Sequence, residues 1–201
     1  YPQLVAGPIE RPQNLLPQLQ EFKPFDWENI RQGFQLMLWG FFKKTVIADR
    51  ISYIIGPVFL KPEQFSSSCF WLTALFFSFQ VYCDFSGYSD IATGVSKCMG
   101  IQLSPNFKTP QFSMSFNEFW QRWHITLNQW LHSYVFLPLG GLRSSIFNKN
   151  NSSKKATYVN VFLTFMTSGL WHGANWTYLL WGATNGAIVI SEHKTKNKSW
   201  F

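Results

Sequence analysis

Two long stretches of the chain, residues 64–83 and residues 156–191, contain no aspartate, glutamate, lysine or arginine. The first lies between Glu63 and Asp84 and is rich in apolar and aromatic side chains. As a helix rising about 1.5 Å per residue it would extend roughly 30 Å. That length matches the hydrocarbon core of a bilayer, so the pattern predicts a transmembrane helix over residues 64–83.

The second stretch is too long for one ordinary membrane span, and glycines divide it. A cluster of small and polar residues at 169–175 separates two apolar pieces, and both flanks of the stretch are basic. If basic flanks stay on one side of the membrane, the chain enters and returns. We therefore expect a helical hairpin with His172 at its turn, a re-entrant feature that is stable only inside protein or beside a cavity.

The segments before residue 64 do not follow one simple pattern. Residues 1–26 carry five prolines, which break long helices and predict an ordered loop or a set of short turns. In residues 27–60 the apolar pattern is interrupted by charged side chains, so an uninterrupted span does not fit. A membrane-embedded or interfacial helix pair is the expectation there.

An amphipathic helix is predicted over residues 117–137, where large apolar side chains recur every three or four positions. Ser115 followed by Glu118 fits a capping box at its start, and Pro138 with Gly140 and Gly141 marks its end. Glu118 and Arg122 are four residues apart and can pair on the polar face.

The amino-acid composition also indicates a protein that is not surrounded by water on all sides. Charged residues make up 13% of it, against about 25% in average soluble domains, and aromatics make up 19%. The net charge of +7 is compatible with RNA binding, but the bases gather in loops between uncharged stretches, as in a membrane protein. We expect an all-α polytopic membrane protein with re-entrant and amphipathic helices, here an internal fragment. Residues 1–191 would be part of a single membrane domain, followed by a polar stretch at 192–201.

The basic loop between Arg143 and Lys155 gives a test of topology. It contains four bases and no acid, and short loops of this kind are retained in the cytoplasm. A cysteine at Ser152, with the native cysteines removed, is expected to resist a membrane-impermeant thiol reagent in intact cells. Ready labelling there would place the loop outside.

Metal binding is not predicted. Residues 84–90 space oxygen-bearing side chains like the start of a calcium loop, but Ser89 stands where that loop needs glycine and Val95 where it needs glutamate. The alternative is a turn, with Ser89 or Asp90 capping a helix that begins at Ile91. The three cysteines have no zinc-ligand or disulfide spacing.

Among the four histidines, His172 has the most informative surroundings. It is flanked by Trp171 and Gly173 within a stretch that lacks other ionisable groups. An ionisable side chain at membrane depth points to function. The structural alternative is a neutral imidazole hydrogen-bonded to backbone at a helix break.

Several ordered motifs resemble one enzyme family. They are residues 2–9 (PQLVAGPI), 82–92 (YCDFSGYSDIA), 106–107 with Pro110, 118–127 (EFWQRWHITL) and 169–175 (GLWHGAN). Together they resemble the membrane-bound O-acyltransferase (MBOAT) family, in the branch that contains the alginate O-acetylation membrane proteins. The resemblance covers nearly the whole chain up to about Ser191.

The resemblance implies roles for individual residues. His172 matches the invariant histidine of the family and is expected to be catalytic. His124 matches a second histidine that is common in this branch, with either a direct catalytic role or a structural or channel-lining one. Asn175, Trp171 and Trp123 are expected to contact substrate. The chain departs from the branch at His132-Ser133, where Arg-Asp is usual, and at Gln121, where arginine is usual.

The family implies transfer of an acyl group, usually acetyl, from a cytoplasmic thioester such as acetyl-CoA to a hydroxyl beyond a bacterial inner or plasma membrane. A polysaccharide acceptor, an extracytoplasmic acetyltransferase partner and the lipid bilayer are the expected partners, with no bound cofactor, metal or nucleic acid. A near-neutral imidazole suits removal of the hydroxyl proton, and Asn175 with backbone N–H groups after Gly173 are candidate oxyanion donors. A transporter or channel component of a polymer-modification system is the alternative.

Overall fold

In a computed structural model, residues 7–140 and 154–196 are described, and their regular elements are helices. The chain divides into two compact units, Tyr1–Asn106 and Phe107–Phe201. The first contains helices α1 (Pro12–Gln20), α2 (Trp27–Phe41), α3 (Asp49–Leu60) and α4 (Ser67–Cys98); the second contains α5 (Phe116–Arg122), α6 (Ile125–Leu131), α7 (Lys154–His172) and α8 (Trp176–Lys196). The all-α prediction is confirmed for this part of the chain. The basic loop that was expected to be cytoplasmic lies almost entirely outside it.

No helix in the described ranges combines the length and the apolarity needed to cross a membrane. The transmembrane helix predicted over residues 64–83 is therefore wrong. That stretch forms part of α4, which begins at Ser67 and continues to Cys98. The absence of charged residues did not indicate a membrane span, because serine, threonine and glutamine lie among the apolar and aromatic residues of this segment.

Helix α4 also passes through residues 84–90, so the predicted turn and helix cap at Ser89 or Asp90 are wrong. The carboxylates of Asp84 and Asp90 instead pair with lysines of the helix that packs beside α4. Lys44 Nζ lies 2.6 Å from Asp84 Oδ1, and Lys43 Nζ lies 2.6 Å from Asp90 Oδ2. The acidic side chains that resembled the start of a calcium loop serve as partners for these lysines.

Residues 27–60 form one continuous helical segment rather than the predicted pair, because a π-helical stretch, Phe42–Ala48, joins α2 to α3. Lys43 and Lys44 lie in this stretch, where the sequence appeared to be interrupted. Lys43 is only 7% exposed and also donates to Ser86 Oγ at 3.0 Å. Its charge is compatible with burial because a carboxylate and a hydroxyl on α4 contact it.

Helices α2 and α4 cross with their backbones in close contact. A Cβ added at Gly40 would lie 2.6 Å from Gly87 O, and one at Gly33 would lie 2.6 Å from Gly94 O. Such distances exclude any side chain, and the paired numbers show that the helices are antiparallel. Small residues at this crossing permit an approach that larger ones would prevent.

The proline-rich segment at residues 1–26 contains a helix that the sequence did not predict. Pro12 lies in the first turn of α1, where a missing N–H is harmless, and Pro17 lies within the helix. The segment is held to a later part of the chain, because Gln102 N donates to Gln18 Oε1 at 2.8 Å. Tertiary contact of this kind outweighs a weak local preference.

The amphipathic segment predicted as one helix over residues 117–137 is broken. Ser115 caps α5 as expected, with its hydroxyl accepting from Glu118 N at 3.0 Å. The helix then ends at Arg122, and His124 takes a left-handed conformation with φ 43° before α6 begins. After α6 a π-helical stretch, His132–Phe136, follows, and Pro138 and Gly140 remain helical. The chain is still helical at Pro138 and Gly140, so the helix end predicted there is wrong. Gly141, the third residue of that prediction, lies outside the described residues.

Glu118 is predicted to support stability rather than chemistry. Its carboxylate accepts from Met114 N at 2.8 Å and pairs with Arg122 at 2.5 Å. Glu118→Ala should therefore lower the free energy of unfolding by roughly 0.5–2 kcal/mol. Thermal unfolding and specific activity of the purified full-length variant check this. A stable but inactive variant would move Glu118 into the active site.

The hairpin predicted in residues 156–191 is confirmed by α7 and α8, which pack against each other. Its turn is shorter than the cluster suggested, because only residues 173–175 lie between the helices. Gly173 has φ 155°, and a Cβ there would lie 2.8 Å from the ring of Tyr178. Lower in the hairpin, a Cβ at Gly182 would lie 2.5 Å from Phe165 O, so the backbones again touch.

Candidate active site

His172 is the last residue of α7 and lies at the turn of the hairpin, as predicted. Its ring meets that of Trp181 edge to face at 5.2 Å and lies 6.2 Å from that of Tyr178. The side chain is exposed in this chain and makes no hydrogen bond within the described ranges. The structural alternative, an imidazole bound to backbone at a helix break, is therefore not what is found. Both ring nitrogens remain accessible to a substrate.

His124 is held very differently, in the connection between α5 and α6. Its side chain is 8% exposed, and its ring stacks on Phe107 at 6.5 Å. Its carbonyl accepts from Asn128 N at 3.1 Å in the first turn of α6. Burial, and to a smaller extent the charge of His172, lowers the pKa of His124 to about 4. The fold thus brings the two histidines within electrostatic reach and keeps His124 neutral at physiological pH.

The two tryptophans predicted to contact substrate lie in aromatic clusters. Trp171 precedes His172 and packs on Trp130, with ring centroids 5.3 Å apart. Trp123 precedes His124 and stacks on Phe119 at 5.6 Å. Each ring therefore supports the backbone beside one histidine, and substrate contact by either remains a prediction.

Asn175 begins α8. Its Oδ1 accepts from Thr177 N at 3.2 Å, and its carbonyl accepts from Tyr178 N at 3.1 Å. The side chain therefore caps the helix, which is a structural task. Its carboxamide Nδ2 makes no hydrogen bond within the described part of the chain, so the predicted oxyanion contact is still open to it.

A cavity of about 400 Å³ in the second unit was not foreseen from the sequence. Residues of α5, α6, the following π-helical stretch, α7 and α8 line it. Neither His172 nor His124 lines the cavity. Trp120 does, and its ring lies 5.6 Å from that of Trp181, which in turn contacts His172. A signal was present: Gln121 and His132, where the chain departs from the family pattern, both line this cavity.

The described ranges hold no group of three or more His, Cys, Asp or Glu side chains able to bind a metal ion. The chemistry that these residues offer is that of an accessible imidazole at the turn of a hairpin, within electrostatic reach of a neutral, buried one. An imidazole of that kind is suited to proton transfer with a hydroxyl group.

The chain is similar to several known proteins. The chain is 41% identical over 192 residues to the probable alginate O-acetylase AlgI of Pseudomonas putida, covering 96% of this chain and 38% of that protein. It is 38% identical to the peptidoglycan O-acetyltransferase of Helicobacter pylori, over 96% of this chain and 36% of the relative. It is 29% identical to the teichoic acid D-alanyltransferase of Streptococcus thermophilus, over 98% of this chain and 49% of the relative.

The chain thus spans between about a third and a half of the length of these relatives. The model of one family, described as the membrane-bound O-acyltransferases, matches residues 1–197, which is nearly the whole sequence. On that match, the chain belongs to the membrane-bound O-acyltransferase family.

Proposed function

We propose that the full-length protein transfers an acetyl group from a cytoplasmic thioester, acetyl-CoA or a similar donor, to a hydroxyl of an extracytoplasmic polysaccharide or partner protein. The observation that carries the proposal is the accessible His172 at the hairpin turn, free of hydrogen bonds within the described ranges. Relatives named for alginate, peptidoglycan and teichoic acid support a cell-envelope polymer as the acceptor.

In the proposed step His172 acts as a general base. Its neutral ring accepts the proton of the acceptor hydroxyl as the oxygen attacks the thioester carbonyl. The tetrahedral intermediate then expels the thiolate, which takes the proton back from the imidazolium. The products are an ester and a free thiol, and the imidazole is regenerated. Asn175 Nδ2 is the candidate donor to the intermediate oxygen, since it lies just after His172 and is not used in capping α8.

His124 is proposed to act as a positioning residue. It is buried, its pKa is about 4, and the charge of His172 contributes to lowering that pKa. A neutral ring in that position limits the repulsion that a second imidazolium would exert on the first. These properties favour a positioning role for His124 over direct transfer of a proton from the substrate.

A membrane location is proposed for the full-length protein, as a multi-pass protein of a bacterial inner or plasma membrane. The family name supports it, and so does the surface of α2, where Phe34, Leu38 and Trp39 are 58%, 67% and 56% exposed. Adjacent exposed apolar side chains mark a surface that contacts lipid or further protein.

The test is transfer of radiolabelled acetyl from acetyl-CoA by full-length protein in membrane vesicles, with the label recovered as an alkali-labile ester. Transfer that depends on the protein supports the proposal. A transporter or channel would instead move substrate across the vesicle membrane without forming the ester, and that result would replace the proposal.

A further inference from the structure

The cavity in the second unit has walls of mixed chemistry. Aromatic and aliphatic side chains, among them Trp120, Phe165 and Val189, alternate with carboxamide, hydroxyl and imidazole groups. The described residues that line it include no lysine, arginine, aspartate or glutamate. At about 400 Å³ it is within the range of small-molecule sites, roughly 300–1,000 Å³.

Three of the polar side chains on this wall, those of Trp120, Ser168 and Gln121, make no hydrogen bond within the described part of the chain. The indole nitrogen of Trp120 is buried and makes no hydrogen bond. Ser168 is 6% exposed, lines the cavity, and its hydroxyl makes no hydrogen bond, and the carboxamide of Gln121 makes none either. Gln121 is exposed, whereas the Trp120 indole nitrogen and Ser168 are buried. Buried polar groups are nearly always satisfied, so these two on one cavity wall indicate a ligand with its own donors and acceptors.

The charge of the lining restricts that ligand. A carboxylate placed here would lose its hydration without meeting a lysine or arginine, which is strongly unfavourable. A purely aliphatic chain would leave the indole N–H and the Ser168 hydroxyl unpaired. An uncharged group with several hydroxyls and an apolar face satisfies both conditions, since hydroxyls both donate and accept.

We propose that this cavity binds an uncharged sugar unit of the acceptor, with Ser168, Gln121 and the Trp120 indole N–H contacting its hydroxyls. The inference rests on the proposed function, because it names the class of acceptor. Trp120 lines the cavity, and Trp181 contacts both Trp120 and His172, so two indole rings connect the cavity wall to the proposed base. An arginine at position 121 would pair with the carboxylate of an anionic sugar. The uncharged Gln121 forms no such pair and therefore favours a neutral sugar.

The experiment measures binding to full-length protein in lipid nanodiscs by calorimetry. The probes are a β-1,4-linked glucose tetramer, which is neutral, and a β-1,4-linked mannuronate tetramer, which is anionic. Wild-type protein is expected to bind the neutral tetramer at least about tenfold more tightly, from the cost of burying an unpaired charge. Gln121→Arg should reverse the preference. Equal or tighter binding of the mannuronate by wild type would overturn the proposal.

A matched pair of variants on α7 tests the cavity itself. Ser168→Ala should weaken binding of the glucose tetramer roughly three- to tenfold, the effect of one hydrogen bond. Thr167→Val is the control, because Thr167 does not line the cavity and its hydroxyl donates to Leu163 O at 2.9 Å. Equal effects of the two variants would refute the site.

Binding of the glucose tetramer is also measured in the His172→Ala protein, where no acyl transfer is expected, so that binding and catalysis are tested separately. If wild type binds the sugar but forms no ester, the proposed function fails and the sugar site stands. If ester forms on acceptors but neither tetramer binds, the sugar site fails and the proposed function stands.

Discussion

His172→Ala in the full-length protein is expected to abolish acyl transfer. Loss of a general base typically slows a reaction about 10²- to 10⁴-fold, which removes detectable product in a vesicle assay. The side chain is exposed and forms no hydrogen bond within the described ranges, so the fold should survive its removal. The measurement is ester formation from labelled acetyl-CoA, together with thermal stability of the same preparation.

His172→Gln separates proton transfer from hydrogen bonding. Glutamine can donate and accept hydrogen bonds but does not take up a proton near neutral pH. It should therefore be as inactive as the alanine variant. His193→Ala serves as the control, because it also removes a histidine from the hairpin. The ring of His193 packs against that of Tyr158, with the ring centroids 5.9 Å apart. Turnover near wild type in the glutamine variant would exclude general-base catalysis by His172.

Lys43→Met is expected to have the largest effect on stability. It leaves the Asp90 carboxylate, whose side chain is 25% exposed, without its cation. Leaving one member of a buried pair uncompensated costs up to about 3–5 kcal/mol, and partial exposure of Asp90 places this case near about 3 kcal/mol. Denaturant titration of the purified full-length protein measures the loss.

Two further variants make that result specific. Lys44→Met removes the neighbouring lysine, whose pairs with Asp49 and Asp84 are about 42% exposed, and should cost no more than about 1 kcal/mol. The double variant Lys43→Met with Asp90→Leu should recover most of the lost stability, because no unpaired charge is left. A double variant as unstable as Lys43→Met alone would show that the packing of the lysine, and not its charge, is what matters.

The features that the sequence predicted correctly are those with local causes. The hairpin follows from glycines and an asparagine that interrupt an uncharged stretch, and the cap of α5 follows from Ser115 three residues before Glu118. The motif around His172 indicated both the family and the place of the histidine at the turn. Each of these signals occupies only a few consecutive residues.

Several of the errors come from contacts between distant residues. Lys43 and Lys44 appeared to interrupt a helix because Asp90 and Asp84, which neutralise them, lie far along the chain. The break at His124 is stabilised by burial against Phe107, which no period in the amphipathic pattern indicates. The cavity likewise depends on five helical segments meeting, and only the departures at Gln121 and His132 indicated it.

The glycine contacts between α2 and α4 determine how the first unit can move. Packed helices usually adjust to each other by small sliding motions that side chains accommodate through changes of rotamer. At Gly40 with Gly87, and at Gly33 with Gly94, backbone meets backbone and there is no rotamer to change. Sliding would press carbonyl oxygens against the opposite chain. The two helices are therefore expected to move as one rigid body, with any hinge of this unit in its connecting segments, at residues 21–26, 61–66 or 99–106.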